Sequence, residues 1–278
     1  MLGLAATILR DNGLERGHYA EPYAGGCGLA LSLLYGGYVA DIHINDIDAA
    51  VWAFWHSVLN RTEEFVQLVE NTPTTVEEWR RQREVHKNAD REDLLGLGFS
   101  TFYLNRTNRS GVIGGGGLIG GLNQDGAYLM DCRFNREDLV RRIARVARYS
   151  DRIHLTNLDA LDFVDQCENA LPENAVLFID PPYFAKGSSL YTSFYKPADH
   201  AALAAKVLTL KCPWVVTYDD VPEIRQLYRS RRQYNFGINY SLQEKRVGTE
   251  LLVASKGLKV PEVARERQVN RPQYRAAA

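Results

Sequence analysis

Short β-favouring runs alternate with helix-length apolar stretches at both ends of this chain, and that alternation constrains the fold more than any other feature. The first part reads GHYAEPYAGG as strand then loop, LALSLLYGG as helix, DIHINDID as strand then loop, and AAVWAFWHSVLN as helix. The pattern resumes at RIHLTNLDALDFV and runs through AVLFIDPPY and HAALAAKVLTL to PWVVTYDD. Strands separated by helices of this length imply a parallel sheet covered on both faces. RQYNFGINYSL and GTELLVASK, joined by a charged turn, predict instead an antiparallel hairpin at the sheet's edge.

The middle of the chain does not share this pattern. From about residue 60 to 152 it is helical and charged, then irregular. LGFSTFYLNRTNRSG has helical apolar spacing until TNRSG ends it, and in GVIGGGGLIGGLNQDG glycine is too dense for a helix or a stable strand. NREDLVRRIARVARY comes next as a helix with Asn135 at its N-cap and Asp138 three positions later. The reading is therefore an α/β domain formed by 1–59 and 153–256, interrupted by an insertion at 60–152. The polar, basic stretch 257–278 is expected to be disordered.

Composition narrows the class of protein. The 45% hydrophobic and 24% charged content is that of an ordinary globular domain. A formal net charge of -1 gives no support for nucleic-acid binding, though a local basic face can hide in a neutral total. The arginine-rich segments at 79–87, 141–152 and 225–233 read first as the wet faces of amphipathic helices. Cys27, Cys132, Cys167 and Cys212 form no CxxC pair, which argues against a metal site or a disulfide framework and suits a reducing cytoplasm. No stretch reaches transmembrane length, so no membrane is expected.

The chemistry gathers where strands end. AVLFID closes an apolar run on a carboxylate, and Pro181 and Pro182 then forbid further pairing and restrict the residue before each to extended geometry. Asp180 and Tyr183 are thus held on a stiff shelf at the carboxyl end of a strand, the edge where open α/β sheets bind ligands. EPYAGGCGLAL places glycines between the first strand and first helix, which lets a ligand approach the backbone near an electropositive helix end. Gly26-x-Gly28 is followed by Leu31, so the third glycine of a dinucleotide fingerprint is missing, against NAD. INDID and LTNLDA put Asp46 and Asp159 on the same edge, with Asp48 free to cap the next helix. Each aspartate alone reads as a helix cap, and a glycine turn alone as a tight connection; three such tips on one edge favour a nucleoside cofactor.

Taken together these residues resemble the adenine-specific DNA methyltransferases, the DNA adenine methylase family. EPYAGGCG is similar to that family's cofactor-binding loop, NDID to its ribose-binding strand end, DPPY to its catalytic motif, and FYLNRTNRSG to the L-N-R segment before its DNA-contacting loop. The order of the motifs matches too, over about residues 14 to 256. The resemblance implies a Rossmann-like α/β methyltransferase sheet dependent on S-adenosylmethionine, with the antiparallel hairpin at one edge and 60–152 as a helical target-recognition insertion. It implies double-stranded DNA as partner, no metal, a cytoplasmic, nucleoid-associated location, and a monomer or weak dimer; a place in restriction-modification is among the family's roles. Two departures stand out. The family carries a lysine-containing GGK-type segment ahead of the first strand, and MLGLAATILRDNG has none, so the expectation is a start at an internal methionine or a cofactor site lacking that part. The run GVIGGGGLIGG replaces bulkier, arginine-bearing sequence, so no target sequence carries over.

By resemblance the cofactor would be held by Glu21, Pro22, Tyr23, Gly25, Gly26 and Gly28, by Asp46 and Ile47, by Asp159 and Ala160, and by Asp180. Asp180, Pro181, Pro182 and Tyr183 would be catalytic. Asp180, with a reference pKa of about 3.9, is expected to be ionised and to accept one hydrogen of a flipped adenine's amino group, while the Pro181 carbonyl accepts the other and Tyr183 stacks on the base. Asn105, Arg106 and Arg109 would contact phosphate or base, or simply form a polar helix end. The glycine run would order on DNA or serve as a slack linker. Lys186, Tyr191 and Tyr195 would close over cofactor and base, the tyrosines equally serving as packing residues, and Tyr240 and Ser241 would face the flipped base. Two alternatives compete: the same cofactor with an RNA amino group or protein amide as acceptor, and a DNA-binding protein with a catalytically impaired methyltransferase fold.

Overall fold

The computed structural model describes residues 1–184, 195–239, 247–261 and 268–270, with only the main chain considered at 236–239 and 247–249. The chain divides into two compact units, Met1–Asn45 with Leu158–Ala278, and Asp46–Asn157.

The first unit is built on six strands. They are β1 (His18–Glu21), β2 (Asp41–Asn45), β4 (Val176–Ile179), β5 (Trp214–Asp219), β6 (Arg232–Asn239) and β7 (Val247–Ala254), in the order β2-β1-β4-β5-β7-β6. The first four run parallel, and β7 and β6 close the sheet antiparallel, as the hairpin sequence predicts. All four residues of β4 are buried, which is why VLFI shows no polar alternation. The unit's helices are α1 (Leu2–Asp11), α2 (Gly28–Tyr35), α8 (Ala160–Ala170), α9 (Pro197–Thr209) and α10 (Pro222–Leu227). The last two start on a proline at the first helical position, where its missing N–H is not needed. Phe163, Val164, Leu203, Val207, Leu177, Ile179, Trp214, Val216, Leu251 and Val253 form one continuous core.

Part of the stretch expected to be disordered is packed here. Asn12 and Lys259 exchange two hydrogen bonds of 2.8 and 2.7 Å, and Val260 is fully buried. Val269 N donates to Gln233 O at 2.9 Å. An apolar pair, Leu258 and Val260, sits within an otherwise polar segment and accounts for this ordering.

The second unit holds α3 (Ala49–Asn60), α4 (Thr62–Asn71), α5 (Val76–Asn88), α6 (Leu94–Thr107), α7 (Arg136–Ala147) and the short strand β3 (Ile153–Thr156). Four of its helices start on side-chain caps, Asp48 for α3 and Asn135 for α7 as the sequence predicts, with Thr75 for α5 and Asp93 for α6, while α4 starts without one. Phe54, Phe65, Phe99, Phe102, Tyr103 and Phe134 pack ring against ring in its core. The glycine-rich segment forms neither helix nor strand, yet it is packed rather than slack. Leu118 and Ile119 are buried, Ile119 N donates to Thr107 O at 2.9 Å, and a Cβ on Gly116 would sit 2.1 Å from Val112 O.

Candidate active site at the strand tips

β4 ends at Ile179, and Pro181 and Pro182, both buried, carry the chain out of the sheet. Three hydrogen bonds to neighbouring strands then fix the residues of the shelf. Thr217 Oγ1 on β5 donates to Asp180 Oδ1 at 2.7 Å, Phe184 N donates to Asp219 Oδ1 at 2.9 Å, and the Tyr183 hydroxyl donates to Glu250 Oε1 at 2.6 Å. Asp219 and Glu250 are register partners across β5 and β7, so the hairpin pins the shelf as firmly as the parallel sheet does.

Asp180 departs from the expectation of an ordinary carboxylate. Protein surrounds it closely while one side keeps solvent access, and this desolvation raises its pKa to about 6 against the opposing hydrogen bond from Thr217, with Glu250 adding to the rise. Above that pH it is ionised and remains an acceptor.

The loop after β1, the neighbouring strand, is organised differently. Gly25 and Cys27 take positive φ values of 44° and 50°, and Cys27 N donates back to Ala24 O at 2.7 Å, which turns the chain tightly into α2. Gly26 and Gly28 have no such need. Their φ values are unexceptional, and a Cβ on either would meet no protein atom within 4 Å. The fold itself does not ask for glycine at those two places. α2 also begins with no acidic residue in its first turn and no side-chain cap of its own; the Glu21 carboxylate instead accepts from the Ala30 backbone N–H in its first turn. Close approach of a ligand to bare backbone explains the two glycines, so the loop fits a nucleoside cofactor.

Glu21 sits beneath this loop. Its carboxylate accepts from the Tyr19 hydroxyl and, at 3.9 Å, from the Cys27 thiol. Burial pushes its pKa up to about 7, the Tyr19 bond opposes the rise, and the charge of Asp180 adds to it. Buried Tyr19 keeps its proton, its pKa held well above the usual phenol value chiefly by desolvation. Tyr23 hydrogen-bonds the Tyr195 hydroxyl at 2.7 Å, and Tyr195 in turn stacks edge-on to His200 and packs against the core. Asp159 accepts from Leu161 N at 2.8 Å and caps α8, with Ala160 buried behind it.

Within the second unit, Asp46 Oδ1 accepts from Asp48 N at 3.0 Å, and Asn157 Nδ2 donates to the Asp46 carbonyl at 2.7 Å. Ile47 is 49% exposed, unusual for an isoleucine beside a strand end. Asn105 and Arg106 lie on the last turn of α6, where Arg106 donates to Asn105 Oδ1 at 2.6 and 3.2 Å and Asn105 Nδ2 donates to Gly111 O at 3.0 Å. Arg109 is exposed just beyond. Lys186, Tyr191, Tyr240 and Ser241 lie outside the described residues.

Several contributors have no motif to announce them. Asn45 is fully buried at the end of β2, and its side chain bonds Pro22 O, Leu158 O and Leu158 N at 3.0, 3.0 and 2.8 Å, tying three strand-tip loops together. Thr217, Asp219 and Glu250 hold the shelf. The one available signal is a polar residue ending or interrupting a buried run, as in IHIN and VVTYD. Among the described residues no cluster of three or more His, Cys, Asp or Glu side chains could hold a metal, and no helix is long and apolar enough to cross a membrane.

A mostly parallel sheet closed by an antiparallel hairpin, with a glycine loop after β1 and an acidic, proline-braced tip after β4, is the fold of the Rossmann-like methyltransferases. Residues 7–246 match the model of the D12 class N6 adenine-specific DNA methyltransferases, and the chain belongs to that family. No curated protein matches the chain. Two solved structures are distantly similar. A conserved hypothetical protein from Streptococcus pyogenes shares 12% identity over 87% of this chain and 88% of its own, with a TM-score of 0.33. Protein LPL1258 from Legionella pneumophila shares 11% identity over 94% of this chain and 84% of its own, with a TM-score of 0.34. At those scores neither adds to the assignment.

Proposed function

We propose that this methyltransferase transfers a methyl group from S-adenosylmethionine to the exocyclic amino group of an adenine flipped out of duplex DNA. The observation that carries the proposal is Asp180, held open to solvent at the carboxyl end of β4, next to a β1 loop whose Gly26 and Gly28 face empty space.

S-adenosylmethionine, when bound, supplies a methyl on a sulfonium, already activated for transfer. Pro22, Tyr23, Gly25, Gly26 and Gly28 would cradle it over the positive end of α2, with Glu21 bracing the loop from beneath. Asp46 would accept from its ribose, the exposed Ile47 would cover its base, and Asp159 and Ala160 would border it. The chain's own task is to prepare the acceptor, because an adenine amino nitrogen delocalises its lone pair into the ring. Ionised Asp180 accepts one amino hydrogen and the Pro181 carbonyl the other, drawing the nitrogen towards a tetrahedral shape; Pro182 fixes that carbonyl. A hydrogen bond to a charged acceptor contributes about 1.5–3 kcal/mol, and alignment contributes more. Once the nitrogen is methylated its proton becomes acidic, and Asp180 is the adjacent base. Tyr183, with its hydroxyl tied to Glu250, presents a fixed ring for the base to stack on, worth about 1–3 kcal/mol against an extrusion cost of a few kcal/mol. Asn105, Arg106, Arg109, Lys186 and Tyr240 are proposed DNA contacts.

The test is incubation with labelled S-adenosylmethionine and unmethylated genomic DNA, with Asp180→Ala as control. Label in N6-methyladenine that vanishes with the variant is expected; label appearing only on RNA or protein would overturn the choice of acceptor.

A further inference from the structure

Arginines that are half-buried are normally matched by a carboxylate, since a desolvated cation without one is costly. Two in the second unit are not. Arg106, on the last turn of α6, finds only the neutral side-chain oxygen of Asn105. Arg133, three residues before α7, reaches only the Asn108 carbonyl, at 3.5 Å. Neither makes an ion pair among the described residues, whereas nearby Arg142 and Arg141 are both satisfied by Asp138.

The two unmatched guanidinium groups converge on one turn. Gly111, with φ of +73°, is held from the α6 side by Asn105 Nδ2 on its carbonyl, while Arg133 Nη2 lies 3.6 Å from where its Cβ would be. The turn cannot drift, because Gly116 packs against the Val112 carbonyl and Arg109 N bonds Gly117 O at 2.8 Å. The like charges also repel: burial first, then Arg133 and Arg142, lowers the pKa of Arg106. A fold that holds two cations together on a rigid turn, without an acid of its own, is completed by an anion from outside. The planar forks of arginine suit a phosphate, which accepts two such donors at once.

We propose that Arg106 and Arg133 form a preformed clamp for a single backbone phosphate of duplex DNA. The proposal rests on the reading of DNA as the substrate, and it adds Arg133, which lies in no recognisable motif. A phosphate contact positions the duplex without reading its sequence.

The experiment measures binding of fluorescent duplexes by the full chain between low and moderate salt. Arg133→Ala is expected to weaken binding about tenfold on every duplex and to make the log–log salt slope shallower by about one, while the melting temperature holds or rises, since a repulsion is removed. Arg133→Glu sharpens the test: it supplies Arg106 with an acid, so the fold should stabilise while duplex affinity falls at least a hundredfold. Arg133→Lys should keep the wild-type slope. Unchanged affinity and slope in both Arg133→Ala and Arg133→Glu, with a wild type that binds duplex and methylates it, would overturn the clamp alone. A loss confined to certain sequences would overturn the phosphate assignment in favour of base reading. A wild-type chain that binds RNA hairpins but no duplex, and methylates no DNA, would remove both the clamp and the substrate on which it rests.

Discussion

The loop after β1 and the shelf after β4 lie on adjacent strands, and each carries a carboxylate with a raised pKa, yet they are built by opposite means. The loop is made of glycines and left-handed turns, and its acid, Glu21, is half-buried and bonded to Tyr19 and Cys27. The shelf is made of prolines, and its acid, Asp180, keeps an open side. Removing side chains leaves room for a ligand against backbone; stiffening the chain aims a side chain outward. The contrast teaches that a displaced pKa alone does not mark a reacting group, because burial has raised both, and of the two only Asp180 is exposed.

Replacing the open acid should cost most. Asp180→Asn keeps the shape and removes the charged acceptor, and methyl transfer is expected to fall roughly 10³-fold, combining the lost hydrogen bond with lost alignment. The same acid sets the acid limb of the pH profile: the wild-type rate should drop about tenfold per unit below about pH 6 as Asp180 gains its proton. A profile flat down to pH 5 would equate the two acids and break the comparison.

The loop predicts a different signature. Gly28→Ala places its Cβ where no protein atom lies within 4 Å, so the chain without cofactor should melt within about 0.5 kcal/mol of wild type. Its affinity for S-adenosylmethionine, read by calorimetry, should fall about tenfold or more. An equal loss in stability would mean that the glycine serves the fold and not a ligand.

Tyr183→Phe retains the stacking ring and leaves Glu250 buried without that donor. Stability should fall by about 1–3 kcal/mol, and turnover by about tenfold, well short of the Asp180 effect. Restored activity in a second-site variant, Glu250→Gln, would locate the defect in the stranded carboxylate.

The last effect, on stability alone, concerns both acids together. Their folded pKa values, about 6 and about 7, lie above unfolded values near 4. The folded chain therefore holds protons that the unfolded chain has released, and the associated stability, complete below about pH 4, is lost as pH rises to about 7. A decline of about 2–3 kcal/mol is expected, mostly from Glu21, with the part from Asp180 reduced by its solvent access. Chemical denaturation at pH 5 and pH 8 would measure it, and Glu21→Gln should flatten the difference.

Much of this was legible in sequence because it is local. Strand and helix alternation, the caps Asp48 and Asn135, the proline stop and the closing hairpin each announce themselves within a few residues. The dual status of Asp159, a strand-tip acid that also caps α8, comes from its position as well. The residues that stayed hidden depend on register. Thr217 and Glu250 are unremarkable in VVTYD and GTELLVA until β5 and β7 bring them beside β4. Asn45 matters only because two other loops end within reach of its side chain. The glycine run, whose composition leaves open ordering on DNA or a slack linker, is instead packed, and the close approach at Gly116 requires its smallness. The packing of Leu258 and Val260 shows that a polar average can conceal an apolar pair that settles a segment's order.

The Tyr183–Glu250 bond ties the tip of β4 to β7, a strand more than sixty residues further along the chain. Because successive residues of a strand face opposite sides, pairing β7 one position out of register would turn Glu250 to the other face of the sheet. Such a chain would still display Asp180 and both prolines, with its tyrosine untethered. A finished shelf thus requires β7 in its native register, so the hairpin's pairing and the completion of the site are one condition.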